Sequence, residues 1–132
     1  MDRRTLLLGF GAATLGSLTA APAEAATWVF LGKRRVNGLV DFDQIDVGAS
    51  AGTFDKIRLH VTGNDLMIYD LDVRYGNGAN DDIAVRALIP QGGYTRAIDL
   101  RLNNRFIRRV RFTYGKFANG RGETWVELHG QR

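Results

Sequence analysis

Apolar and polar residues alternate with a period of two through most of the chain after residue 27, the mark of strands buried on one side only. The clearest stretch runs from Phe54 to Gly78: F-D-K-I-R-L-H-V-T-G-N-D-L-M-I-Y-D-L-D-V-R-Y-G-N-G. Ile57, Leu59 and Val61 share one face of a first strand, with Lys56, Arg58 and His60 on the other. A turn follows at Thr62-Gly63-Asn64-Asp65. Tyr69, Leu71, Val73 and Tyr75 then share a face opposite Asp70, Asp72 and Arg74. This reads as a central hairpin with one apolar face, which needs a second layer to cover it.

The flanking segments repeat the pattern. Trp28 to Val36 predicts a first strand with a bulge at Gly32, and Asn37-Gly38 is a strong turn signal. From Val40 to Val47, Val40, Phe42 and Gln44 oppose Asp41 and Asp43 before the phase reverses at Ile45 and Val47. Gly48 to Gly52 is a small-residue connector. Gly76 to Asp82 is the most turn-like segment; Ile83 to Ile89 is the next strand, closed by Pro90-Gln91-Gly92-Gly93. Tyr94 to Leu102, Arg105 to Tyr114 and Glu123 to His129 complete the set. A phase break at Arg108-Arg109 predicts a bulge, and Lys116 to Gly122 reads as a polar loop. Eight short strands at a spacing of roughly ten residues predict an all-β fold, a single antiparallel β-sandwich of jelly-roll or Greek-key type. A closed barrel is the alternative.

The first residues have another character. Met1-Asp2-Arg3-Arg4-Thr5 precedes an apolar run from Leu6 to Ala21 and then Ala23-Glu24-Ala25-Ala26. A charged start, an apolar segment and an A-x-A site are the parts of a signal peptide, here residues 1–25. Arg3-Arg4 and the many small residues fit twin-arginine export. An uncleaved anchor is the alternative, but the run falls short of the roughly 20 residues that span a bilayer. The expectation is a periplasmic or secreted domain, residues 26–132, with no membrane span after cleavage.

Composition narrows the chemistry. The chain has 132 residues, 18 basic and 14 acidic, and no cysteine. Cleavage removes two residues of each sign (Asp2, Arg3, Arg4, Glu24) and leaves the net charge of +4 unchanged. That length suits one domain. A mild excess of interleaved positive charge suits anionic partners such as acidic glycans and is no nucleic-acid footprint. Without cysteine there is no disulfide, thiol catalysis or Cys-ligated metal.

W-V-F-L-G-K-R-R-V, D-x-I-x-V-G (Asp43 to Gly48), F-D-K-I-R-L-H-V-x-G, D-L-D-V-R-Y-G-N-G, R-A-I-D-L and R-F-I-R-R-V-R-F-T-Y follow one another in order. Over most of the mature domain this resembles a family of small exported bacterial β-sandwich proteins of unknown function. The resemblance implies fold and export and brings no catalytic residues.

Several constellations are candidates for chemistry. Gly48-Ala49-Ser50-Ala51-Gly52 matches G-x-S-x-G, and Ser50, Asp99 and His129 follow a hydrolase order. That motif works only on a strand-to-helix turn, and the chain continues here as strand. Asn77, Asn80, Asp81 and Asp82 offer clustered oxygens to calcium; the same residues also serve ordinary turns. Arg109 and Arg111, in the densest basic group (Arg105, Arg108, Lys116 and Arg121 are the others), present parallel guanidinium forks for an anion if they share a face. Ion pairing with Asp70, Asp72 or Asp99 is the alternative. Trp125 and Glu127 alternate with Val126 and Leu128, so the tryptophan is a candidate sugar platform, or else a core residue. His60 and His129 lack metal-ligand spacing and read as solvated. The favoured reading is a non-enzymatic envelope module binding glycans or anionic ligands without an obligatory cofactor. A protein-docking envelope component is second and a small hydrolase third.

Overall fold

The computed structural model describes residues 28–38, 40–117 and 122–132. The signal-like segment and Arg121 lie outside the described residues. Eight strands are present: β1 (Trp28–Val36), β2 (Val40–Asp46), β3 (Lys56–Thr62), β4 (Leu66–Tyr75), β5 (Asn80–Ile89), β6 (Ile98–Asp99), β7 (Ile107–Lys116) and β8 (Thr124–Gln131). They form two antiparallel four-stranded sheets, β1-β8-β3-β6 and β2-β7-β4-β5. The pairs are nested: β1 with β8, β2 with β7, β3 with β6 and β4 with β5. The chain thus doubles back at the Gly76–Ala79 turn, and the double ribbon is rolled so that β8 also meets β3 and β7 meets β4. This is the jelly roll, and it is a sandwich rather than a closed barrel.

The nesting corrects one expectation. β3 and β4 do not form a hairpin. They belong to opposite sheets, so the turn at 62–65 is an arch over the core, and their apolar faces oppose each other across it. Ile57, Leu59 and Val61 of β3 and Ile68, Leu71, Val73 and Tyr75 of β4 are all fully buried. The Asn37-Gly38 turn likewise leads from one sheet to the other. The true hairpin is β4–β5.

A second correction concerns phase. The β4 register slips between Ile68 and Asp70, opposite Val85 and Arg86. Arg86 takes a left-handed backbone conformation there (φ 49°). The slip turns Tyr69 and Asp70 both outward and lets Leu66 and Ile68 share the inner face with Leu71 and Val73. The predicted bulges are present at Gly32 and at Arg108, where Tyr75 pairs with Ile107 but Arg74 with Arg109. Tyr94 to Leu102 is strand only at Ile98–Asp99, with an isolated bridge from Tyr94 to His60.

The core is closed at each end by a tyrosine tied to a charged chain. The Tyr114 hydroxyl donates to Asp43 (3.1 Å), which also accepts from Arg34 (3.2 Å). At the other end Tyr75 donates to Asp81 (3.2 Å), and Arg101 lies 3.5 Å from the same carboxylate. Each chain ties a core residue of the β2-β7-β4-β5 sheet to the strand or loop that crosses from the opposite sheet. Apolar burial supplies most of the stability, and these chains fix how the layers align.

Candidate functional site

Because side chains alternate, the register fixes what each sheet shows to solvent. On the outer face of β2-β7-β4-β5 the rows are Val40–Gly115–Met67–Leu88, then Phe42–Thr113–Asp70–Ala84, then Gln44–Arg111–Asp72–Asp82, then Asp46–Arg109–Arg74–Asn80. One end is apolar, with Val40 (74% exposed), Leu88 and Phe42 open to solvent. The Tyr69 ring lies over Gly115, whose missing side chain leaves it room. The other end is charged.

Between them runs a groove of about 410 Å³ lined by Asp70, Asp72, Asp82, Ala84, Arg111 and Thr113, with Leu71 and Ile83 at its floor. Asp72 stands directly opposite both Asp82 and Arg111. Both of its oxygens accept from the Asn80 amide (3.1 and 3.4 Å). Among the described residues the side chains of Asp70 and Asp82 make no hydrogen bond or ion pair. Arg111 is held by Phe42 instead of by an acid, its guanidinium carbon 4.9 Å from the ring centroid. The groove therefore presents free carboxylate acceptors, one guanidinium donor fork and one hydroxyl on a rigid sheet.

The opposite face, on β1-β8-β3-β6, interleaves rings with cations. Its rows are Trp28–Gln131–Lys56–Asp99, then Phe30–His129–Arg58, then Lys33–Glu127–His60, then Arg35–Trp125–Thr62. His60 stacks on Tyr94 (centroids 4.3 Å apart). Arg58 Nε donates to His129 Nδ1 (3.4 Å), which leaves the ring hydrogen on Nε2 to donate to Glu127 Oε1 (3.2 Å). His60 Nδ1 lies 3.6 Å from the same oxygen, and its Nε2 faces the Gly92 carbonyl (3.3 Å).

Against this geometry the predicted site residues divide. Arg109 and Arg111 share an outer face, as their spacing requires. Trp125 and Glu127 also face outward, but on the other sheet, so the four do not form one site. Trp125 is half-buried, covered by Lys33 (4.8 Å) and donating to Glu123 (3.2 Å). The histidines are not solvated. Their side chains are only 19% (His60) and 14% (His129) exposed, because both pack around Glu127. The local signal was Glu127-x-His129, one strand face at period two; that His60 joins them depends on the β3–β8 pairing.

The Asn/Asp loop is also split. Asn77 caps the Ala79 amide (3.1 Å), Asn80 is spent on Asp72, Asp81 turns inward to Tyr75 and Arg101, and Asp82 faces the groove. Among the described residues no three His, Asp or Glu side chains are placed to share a metal ion. Ser50 sits in a three-residue 3₁₀ turn, whereas Asp99 pairs with Lys56 (2.6 Å) and His129 with Glu127. Among the described residues no helix is long and apolar enough to cross a membrane.

Comparison with curated proteins and with solved structures returned no match. Residues 6–130 match a family described as a domain of unknown function (DUF2541), and the chain belongs to that family.

Proposed function

We propose that this protein is an exported, non-enzymatic module of the cell envelope that holds a glycan in the groove across the β2-β7-β4-β5 sheet. The observation that carries the reading is the pair of carboxylates, Asp70 and Asp82, unpartnered among the described residues and lining one groove with Arg111 and Thr113. Sugar hydroxyls both donate and accept. Free carboxylates take their donors, and a guanidinium supplies the complementary one. Phe42 and Tyr69 at the apolar end offer ring faces beside those polar groups. Three carboxylates against one guanidinium favour a neutral or amino sugar over the acidic ligand suggested by Arg109 and Arg111. Export rests on the charged, apolar and A-x-A succession of residues 1–25.

The test is thermal unfolding against a panel of neutral, amino and acidic envelope glycans. A ligand at a hundred times its Kd stabilises by about 2.7 kcal/mol, a shift of roughly 10 °C for a domain of this size. Arg111→Ala and Asp72→Asn are expected to weaken binding about tenfold or more while leaving the unliganded midpoint within about 2 °C. No shift with any glycan, or a shift that both variants retain, sinks the reading. Cleavage of the glycan on incubation would make the groove a hydrolase site instead. Parallel scans with calcium and with EDTA report on the Asn77–Asp82 loop.

The apolar row Val40–Met67–Leu88, exposed at Val40 and Leu88, favours a second reading, a protein-docking surface on the same sheet. Its signature is a complex with an envelope protein that Leu88→Asp abolishes and Asp72→Asn does not.

A further inference from the structure

We infer that the opposite face carries a separate site for an oxyanion, centred on Arg58. The guanidinium carbon of Arg58 lies 4.2 Å from the ring centroids of both Trp28 and Tyr94, and its Nε is fixed on His129. What it lacks is an acid. Lys56 is neutralised by Asp99, Arg35 by Glu123 and Arg34 by Asp43. Glu127, one row away, has its Oε1 shared between His129 and His60. Among the described residues no carboxylate comes within ion-pair distance of Arg58.

An arginine in this state is prepared for a ligand. Two rings and a histidine hold its plane, so little side-chain entropy remains to be lost on binding. The two terminal nitrogens make no hydrogen bond within the described structure, and their spacing matches two oxygens of a carboxylate, phosphate or sulfate. The rings also shield the cation from water, which strengthens its field towards an anion. Tyr94 (47% exposed) lies against the fork, and Phe30 (57%), beyond His129 in the same row, adds further exposed apolar surface. That combination suits an oxyanion borne on a sugar ring, a uronate or a sugar phosphate, better than a free inorganic ion. Of the forks singled out by spacing alone, Arg111 lies on the other sheet in the groove with Asp70, Asp72 and Asp82, which compete with an anion for it, and Arg109 lies one row away between Asp46 and Arg74.

The experiment is calorimetric titration of the whole protein, at constant ionic strength, with glucuronate, glucose 6-phosphate, glucose, inorganic phosphate and sodium chloride. The acidic sugars are expected to bind and glucose to bind at least tenfold more weakly. Arg58→Ala should weaken acidic sugars tenfold or more. Arg58→Lys, which keeps the charge but loses the fork, should fall close to it. Asp72→Asn should leave this binding intact, which separates the site from the groove. Unliganded unfolding midpoints show that each variant is folded. Equal binding by wild type and Arg58→Lys, a response reproduced by sodium chloride, or binding lost with Asp72→Asn but kept by Arg58→Ala would each overturn the assignment. Inorganic phosphate binding as tightly as glucose 6-phosphate would overturn the part given to the rings.

Discussion

Gly63→Ala is expected to cost this fold about 3 kcal/mol or more, a fall in melting temperature on the order of 10 °C. Gly63 lies in the arch that carries the chain from β3 to β4, at φ +96°. A Cβ built there falls 1.9 Å from the Glu123 carbonyl oxygen and 3.1 Å from the Thr124 Cα. Those are backbone atoms at the start of β8, so no rotamer change relieves the overlap. The same contact is clamped by Asn64, whose buried amide donates to the Thr124 hydroxyl (2.6 Å). Pushing the arch outward would stretch that bond and open the core above Val61 and Leu66. Gly78 provides the control. It has a similar dihedral, φ +89°, but nothing within 4 Å of its missing Cβ. Gly78→Ala therefore carries only the left-handed cost, about 1 to 2 kcal/mol. Urea unfolding of both variants isolates the clash as the difference between them; equal losses would mean that β8 does not press on the arch.

This arch also shows why the sequence discloses the layers but not their wiring. Thr62-Gly63-Asn64-Asp65 announces a reversal, and Gly63 supplies the backbone conformation for it. Nothing local says whether the two strands pair edge to edge or cross the core. The outcome depends on β8 and β7, more than forty residues later, which take the pairing positions beside β3 and β4. Strand faces were legible wherever the period of two is unbroken, as in Ile57-Leu59-Val61. The alternation misleads at Tyr69, where a bulge shared with Val85 and Arg86 changes phase without a glycine to mark it. The bulges at Gly32 and Arg108 were legible because a glycine or a broken alternation signals them.

Long-range pairing decides the site residues as well. Period two places Arg109 with Arg111, and Trp125 with Glu127, but sheet membership decides that the pairs face opposite ways. Arg58, Trp28 and Tyr94 meet only after three distant segments are brought together, so no motif could announce them. If both sites hold, the domain presents a groove rich in carboxylate on one side and an uncompensated guanidinium on the other. A rigid sandwich with two unlike faces is suited to bridging two ligands. Bridging then needs no movement of the fold, only that both sites be occupied together.

The second large effect is expected in alkali. Tyr114 is fully buried, and burial together with the hydrogen bond to Asp43 pushes its phenol up to about 12. An unfolded tyrosine titrates near 10. Its folded value is the higher one, so the stability that Tyr114 contributes is complete below about pH 10 and drains away as pH rises towards 12. The slope for one group is about 1.4 kcal/mol per pH unit, which makes the total about 2 to 3 kcal/mol. Tyr75 is raised in the same direction, first by burial, and Lys56 by its pairing with Asp99. Both add to the wild-type slope, and both remain in Tyr114→Phe, so they cancel in the comparison. At pH 8 Tyr114→Phe is expected to be less stable by about 1 kcal/mol, the worth of one hydrogen bond; Arg34 still partners Asp43. By pH 11.5 the order should reverse, because phenylalanine has no proton to lose. Urea midpoints at the two pH values test this directly. Parallel profiles for the two proteins would show that the Tyr114 hydroxyl is reached by solvent before the sandwich opens, and that this end of the core is not sealed.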